Sequence, residues 1–374
     1  MHKNCNSIPK DFCLDTYVNA VRKNPLLDEQ GDGMKSYAGI IFEAIVSNLD
    51  VTLIDEPEAF LHPPQMRKLG KTLASEVDGT HSSDILRGFL EGSQGNVRIL
   101  RISRCDEANI VMEASTDTIK SLWERPELRY SNALEGIFHE QTIICEDDSD
   151  CKLINSIADF IATERQEQWL DTAYVPTGGK QGVSKVAEVL CKMGVPVKAI
   201  FDIDFLNDKS IVEKTVKAFG GDWINIEPLW KKIDAAVRSG NAAKTISEIK
   251  HNIIQIINDC DQEYLPRNEI SQVLKKAKEW DNIKQYGEIA IPNGEIQATY
   301  KTLKENLENI GIYIVPVGEI ENFHPPTGLH GPKFVAKLLS TVDLGDNQLS
   351  ELRKFVEKVH KGKHCNLNLR QDEC

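Results

Sequence analysis

Thr142-Ile143-Ile144-Cys145-Glu146-Asp147-Asp148-Ser149-Asp150 is a short apolar run that delivers a cluster of acids. A second run, Val195-Pro196-Val197-Lys198-Ala199-Ile200-Phe201, ends in Asp202-Ile203-Asp204. Apolar runs of this length read as parallel strands buried on both faces, with the carboxylates where each strand gives way to a loop. In open α/β sheets that carboxyl edge is where ligands bind. A Glu at one strand end and a D-x-D pair at another make an oxygen-rich site of the kind that suits Mg²⁺.

Between and beyond these runs the chain alternates. A helix over about 150–164, a strand Thr172–Val175, the loop Pro176–Gln181 and a helix over 183–193 lead to the strand 197–201. This β-α-β-α-β order predicts an α/β fold with a parallel sheet and right-handed crossovers. After Asp204 the pattern stops. Amphipathic stretches at Lys231–Ser239, Ala243–Asp259 and Ile270–Trp280 predict a helical insertion over about 209–310. The alternation resumes at Gly311-Ile312-Tyr313-Ile314-Val315-Pro316-Val317, which runs into Gly318-Glu319-Ile320-Glu321-Asn322.

Carboxylates gathered at one sheet edge can hold one divalent ion or two, and a pair about 4 Å apart can activate a water, relieve charge and help a leaving oxygen. One Glu and one D-x-D can hold one ion, so further carboxylates are required. Asp150, one helical turn after Glu146, can face the same site. Asp147, Asp148 and Asp150 also read as ordinary helix N-terminal acids, which cap backbone N–H groups and favour the dipole. Gly178-Gly179-Lys180 reads either as a phosphate-approaching loop or as a plain βα turn with a solvated lysine. Trp230 and Trp280, with Lys231, Lys232, Lys275, Lys276 and Lys278, could track phosphates or form a solvated helix face.

The pattern Glu146-x-x-Ser149-Asp150 followed by Asp202-x-Asp204 resembles a TOPRIM fold in the form shared by OLD-family (overcoming lysogenization defect) and RecR-like proteins. Gly318-Glu319-Ile320-Glu321 is similar to the G-E-L-E-like segment of OLD-family nucleases, in which a lysine follows further along. The resemblance implies metal ligands among Glu146, Asp150, Asp202, Asp204, Glu319 and Glu321. Glu321 gains over Glu319 as a ligand if the strand continues through Ile320. Lys333, in His330-Gly331-Pro332-Lys333-Phe334, is the lysine that best matches; Lys337 is its competitor one turn on. Such a lysine neutralises charge that develops on the scissile phosphate.

The first hundred residues carry a second resemblance. Gln30-Gly31-Asp32-Gly33-Met34-Lys35-Ser36 leads into a helix, and a helix N-terminus can hold a phosphate. Val51-Thr52-Leu53-Ile54-Asp55-Glu56-Pro57 is a strand ending in two acids, followed by Leu61-His62-Pro63 and Thr80-His81-Ser82. In this order the motifs resemble the signature loop, Walker B strand, D-loop and switch histidine of ABC-type ATPase heads, in the branch shared by SMC-like and OLD-family proteins. The resemblance implies that Asp55 is the metal acid, Glu56 the catalytic base and His81 the γ-phosphate sensor, with Ser36 facing a partner subunit's nucleotide. No Walker A precedes these motifs. Gly70-Lys71-Thr72 has Gln65 where the first glycine belongs and follows the acidic strand, and Gly179-Lys180-Gln181 has no hydroxyl residue after the lysine. Autonomous ATP hydrolysis is therefore not expected, and ATP would act only with a Walker A from elsewhere.

The expected organisation is the C-terminal part of an ABC-type ATPase domain over 1–115, a helical connector over 116–139, TOPRIM over 140–345 with its insertion, and a C-terminal helix and tail over 346–374. Val97–Ile102 and Asn109–Met112 alternate as an antiparallel hairpin or as edge strands do. The family resemblance implies an endonuclease that hydrolyses DNA with two Mg²⁺ or Mn²⁺ ions. It also implies nucleotide control, a homo-oligomer and a role in phage defence, and leaves room for a partner ATPase or defence protein. A non-cleaving regulatory subunit is the rival. A topoisomerase would need a cleavage domain and a primase further nucleotide-binding machinery, and neither is visible.

Composition sets the outer limits. The chain has 374 residues, 41% of them hydrophobic, which suffices for more than one core. Its net charge of −13 argues against a generally basic nucleic-acid coat, though not against a local phosphate groove. Nine cysteines without a C-x-x-C pair fit free thiols in a reducing cytoplasm. No run reaches the length of a membrane span.

Overall fold

The computed structural model describes residues 15–22, 26–46, 54, 56–74, 82–95, 97–105, 108–124, 132–240, 246–260, 265–267, 269–270, 273 and 280–365. Asp55, His81 and the lysines at 275, 276 and 278 lie outside these residues. The chain divides into two compact units, 1–98 and 99–374. Among the described residues no helix is long and apolar enough to cross a membrane.

The first unit contains helices α1 (Asp15–Arg22), α2 (Asp32–Ile41), α3 (Pro63–Leu73) and α4 (Ser83–Ser93). Leu69, Leu73, Ile85 and Phe89 interleave between α3 and α4. The two helices pack so closely that a Cβ on Gly70 would stand 2.3 Å from the Ile85 carbonyl oxygen, and one on Gly88 2.3 Å from that of Arg67. Gly70-Lys71-Thr72 is thus a helix-packing segment; Lys71 pairs with Glu91 at 2.7 Å.

The second unit opens with an antiparallel hairpin, β1 (Ile99–Cys105) and β2 (Ala108–Ala114), and α5 (Thr116–Glu124). The hairpin, grouped by sequence with the N-terminal segment, is fastened here by one guanidinium. Arg101 donates to the carbonyls of Ile137 (3.1 Å), His139 (3.0 Å) and Gly194 (2.8 Å). Satisfying three carbonyls from one fork ties the hairpin to the loops flanking the main sheet.

That sheet has four parallel strands in the order β4-β3-β5-β6. They are β3 (Gln141–Cys145), β4 (Thr172–Pro176), β5 (Val197–Phe201) and β6 (Ile312–Ile314). β3, β5 and β6 are buried along their whole length, which is why they read as continuous apolar runs. Helices α6 (Asp148–Arg165) and α7 (Lys180–Lys192) make the crossovers. Ile143 of β3, Ile200 of β5 and Tyr313 of β6 share one core with Ile154 and Ile157 of α6 and the C-terminal helices α13 (Pro332–Thr341) and α14 (Ser350–Lys361). α7 packs against β3 and β5 and against α8 (Lys209–Ala218).

The expected insertion separates β5 from β6 and holds α9 (Trp223–Gly240), α10 (Ile246–Asn258), α11 (Asp281–Tyr286) and α12 (Glu295–Glu308). Trp230 and Trp280 are interior residues of this insertion, not stacking platforms. Both are buried, and their indole N–H groups donate to the Leu206 carbonyl (2.8 Å) and to Asp234 (2.9 Å).

Candidate metal centre

In the order β4-β3-β5-β6 the crossover from β3 goes one way and the return to β5 goes the other. The sheet therefore has its topological switch point between β3 and β5, where a crevice forms beyond the carboxyl ends. Glu146 follows the last residue of β3 and Asp202 the last residue of β5. The Asp202 backbone N–H donates to the Glu146 carboxylate. Behind Asp202 the chain tightens into a 3₁₀ turn, Ile203–Asn207, which places Asp204 at the same edge.

The third contribution comes from β6. This strand ends at Ile314, and the following loop is held to β5 by Val315 N–H to Phe201 O (2.8 Å) and Ile203 N–H to Gly318 O (2.8 Å). The strand does not continue through Ile320. Ile320–Phe323 is a 3₁₀ turn with Ile320 buried, so Glu319 and Glu321 sit on one side of it. Each offers a ligand atom within 4.8 Å of the other and of His330. The imidazole Nδ1 is 3.8 Å from Glu319 and 3.9 Å from Glu321, and Glu321 accepts the Gly331 N–H at 2.7 Å.

Two lysines face these acids. Lys180 begins α7, after Gly178 and Gly179 at φ +70° and +122°, and its ammonium is 3.2 Å from Asp204. Gly179 N–H donates to the Glu146 carbonyl at 2.9 Å, so the glycine pair turns the chain across the site edge. Lys284, on α11, stands 3.4 Å from Asp204, 3.6 Å from Asp202 and 3.8 Å from Glu319.

The electrostatics follow from this crowding. Burial pushes the Glu146 carboxyl above its ordinary range, Asp204 adds to the push, and Lys180 and Lys284 oppose it. Asp202 is held well above the usual range by burial, against the pull of Lys284. Burial raises Glu319 and carries Asp150 to about 7, with Glu321 and Glu146 among the charges facing Asp150. Burial alone would lower Lys284, but Asp204, Asp202 and Glu319 overcome it and hold the ammonium above the normal lysine range.

The residues fit divalent cations. Glu146 Oε1 is buried and has no hydrogen-bond partner, a costly state for a carboxylate oxygen that a cation would relieve. Six carboxylates face one another across two lysines, leaving a negative excess that hard cations neutralise.

Of the remaining sequence-level residues, Lys333 is exposed at the start of α13, with no ion pair to these acids among the described residues. Lys337 donates to the Thr327 carbonyl at 3.0 Å. Asp148 pairs with Lys152 on the exposed side of α6. Ser36 lies within α2, and Glu56 is exposed with φ +47°. Lys284 had no sequence signal. It sits within the insertion, 80 positions after Asp204 and outside every motif, and only folding returns it to the edge.

Residues 137–204 match the family model described as Overcoming lysogenization defect protein-like, TOPRIM domain. The match covers β3 through β5 and includes Glu146, Asp150, Asp202 and Asp204. No curated protein matches the chain. A TOPRIM region points to metal-dependent cleavage or processing of nucleic acid, generally with divalent ions such as Mg²⁺.

Proposed function

We propose that this chain is a DNA endonuclease of the OLD type, hydrolysing phosphodiester bonds at a two-ion centre. The observation that carries the reading is the convergence of three strand ends on one edge, with a buried, unpartnered Glu146 oxygen among them. Glu319, Glu321 and His330 stand close enough to hold one ion; the other is assigned to Glu146, Asp202 and Asp204 at the ends of β3 and β5, with Asp150 facing both Glu146 and Glu321. When bound, the ions supply an activated water and charge relief at the phosphate. The chain's own groups supply position. Lys180 and the first N–H groups of α7 present positive charge where a phosphate can approach. Buried β3, β5 and β6 hold the acids on rigid strand ends, so little reorganisation is needed when substrate arrives.

The same proposal extends to control. The ordered motifs at Gly31–Ser36, Asp55-Glu56 and His81 support an ABC-type ATPase region ahead of the nuclease, with ATP acting only where a Walker A is supplied by another chain. Self-association and a role in phage defence belong to this reading by resemblance to the family.

A supercoiled-plasmid nicking assay with Mg²⁺ or Mn²⁺ tests it. Wild type is expected to nick in a metal-dependent way, and Asp202→Ala/Asp204→Ala is expected to lose at least about a hundredfold in rate. Absence of nicking, or equal nicking by the double variant, removes the endonuclease reading.

A further inference from the structure

Lys284 is placed unlike a surface lysine that folds back onto nearby acids. Its backbone is built into the site. The Asn322 side-chain amide donates to the carbonyls of Lys284 (3.2 Å), Gln285 (3.1 Å) and Val317 (3.0 Å), clamping α11 to the loop that carries Glu319. A Cβ on Gly318, at φ +102°, would lie 2.0 Å from the Lys284 carbonyl oxygen, and one on Gly287, at φ +72°, 2.2 Å from that of Pro316. Two glycines and one asparagine thus let the helix approach as closely as it does. On the other side, Lys284 N–H donates to the carbonyl of buried Trp280 at 2.9 Å.

The ammonium is also shared rather than paired. Its distances to Asp204, Asp202 and Glu319 are 3.4, 3.6 and 3.8 Å. A charge-assisted hydrogen bond to a single carboxylate would be about 2.7–2.9 Å. Lys284 Nζ therefore stands among carboxylates from two strand ends, at the point where their charge converges. A divalent ion held by the Asp202 and Asp204 oxygens would compete for that volume, and two cations cannot share it.

We propose that Lys284 is a tethered cation that holds the Asp202–Asp204 ion position, beside Glu319, in the metal-free protein, yields it to the divalent ion, and then directs its ammonium to the substrate phosphate. This rests on the metal-dependent reading above and assigns Lys284 as a positioning residue for it. The lysine keeps the acid cluster from repelling itself apart before metal arrives. It also weakens metal binding, because the ion must displace it. A phosphate that draws the ammonium away removes that competition, so metal and nucleic acid each strengthen the other's binding.

The test uses the full chain and Mn²⁺. Mn²⁺ affinity is measured by paramagnetic resonance for wild type, Lys284→Met and Lys284→Arg, with circular dichroism as the control for folding. Lys284→Met is expected to bind Mn²⁺ on the order of tenfold more tightly, with Lys284→Arg near wild type because the competing charge is retained. In wild type alone, amine acetylation read by mass spectrometry is expected to rise at Lys284 when Mn²⁺ is added, as the ammonium leaves the acids. Unchanged or weaker affinity in Lys284→Met overturns the proposal and leaves the metal-dependent reading standing. If that variant does not fold, labelling at Lys284 that is indifferent to Mn²⁺ overturns it instead. Failure of wild type to bind Mn²⁺ at all overturns both.

Discussion

Replacing Asp150 by Asn should stabilise the metal-free protein and abolish a large part of its pH dependence. Asp150 lies in the first turn of α6, where burial, with Glu321 and Glu146 facing it, raises its pKa from 3.8 to about 7. The folded state thus binds a proton that the unfolded state has released between those values, so stability falls as pH rises through the window. A shift of roughly three pKa units corresponds to a ceiling of about 4 kcal/mol at pH 8, each unit being about 1.4 kcal/mol. Asparagine keeps the shape and the capping bond, since a side-chain oxygen can still accept the Asp147 N–H now donated at 3.3 Å. All five tryptophans lie in the second unit, so denaturant unfolding followed by their fluorescence reports on the unit that holds Asp150. In EDTA, wild type is expected to lose stability between about pH 4 and 7 relative to Asp150→Asn, with the gap complete near pH 8. Mg²⁺ at pH 8 should narrow the gap, because only the ionised carboxylate gains from the cation. Parallel stability–pH curves for the two proteins would refute the assignment of Asp150 to the buried acid cluster.

Three further outcomes are expected. Lys198 is buried with its ammonium bonded to Gln141 (2.8 Å) and the His360 carbonyl, and burial lowers its pKa to about 8. The folded state then binds fewer protons than the unfolded state from about 8 to the ordinary lysine value, so wild-type stability rises with pH across that window, by about 3 kcal/mol at most. Lys198→Met should lack the rise, as thermal shifts at pH 7.5 and 10 can read; an identical rise would place its source elsewhere. Gly318→Ala forces a Cβ to within 2.0 Å of the Lys284 carbonyl at a left-handed φ, and should cost about 3 kcal/mol and open α11 to proteolysis; wild-type resistance would mean that this contact relaxes without cost. His330→Ala removes the imidazole from the Glu319–Glu321 group, and should slow Mn²⁺-supported nicking more than Mg²⁺-supported nicking, since imidazole favours transition ions. Equal losses with both metals would count against His330 as a ligand.

Local pattern carried the sheet and four of the acids gathered at the candidate centre. Thr142–Cys145 and Val197–Phe201 are mostly apolar because both faces of a parallel strand are covered, and a strand's end fixes where the next carboxylate points. Glu146, Asp202 and Asp204 are therefore legible without coordinates. Asp150 is legible through its helical offset from Glu146. Glu319 and Glu321 were legible as acids after a strand, but not their relation to each other. That depended on where β6 stops, and a three-residue strand followed by a 3₁₀ turn has no distinctive periodicity. Trp230 and Trp280 misled because an aromatic beside lysines looks the same in sequence whether it faces solvent or the insertion's interior.

The α/β alternation, the helical insertion and the acids that strand ends deliver can be read along the chain, because each is set by neighbours within a few residues. Which cations meet those acids emerges only on folding. Lys333 follows the last acidic motif, yet lies exposed, whereas Lys284 sits deep in the insertion and reaches three carboxylates. The difference is one of range. Strand ends are placed by local hydrogen bonding and burial, but a lysine's target is set by how a distant helix docks, here through Asn322, Gly287 and Gly318.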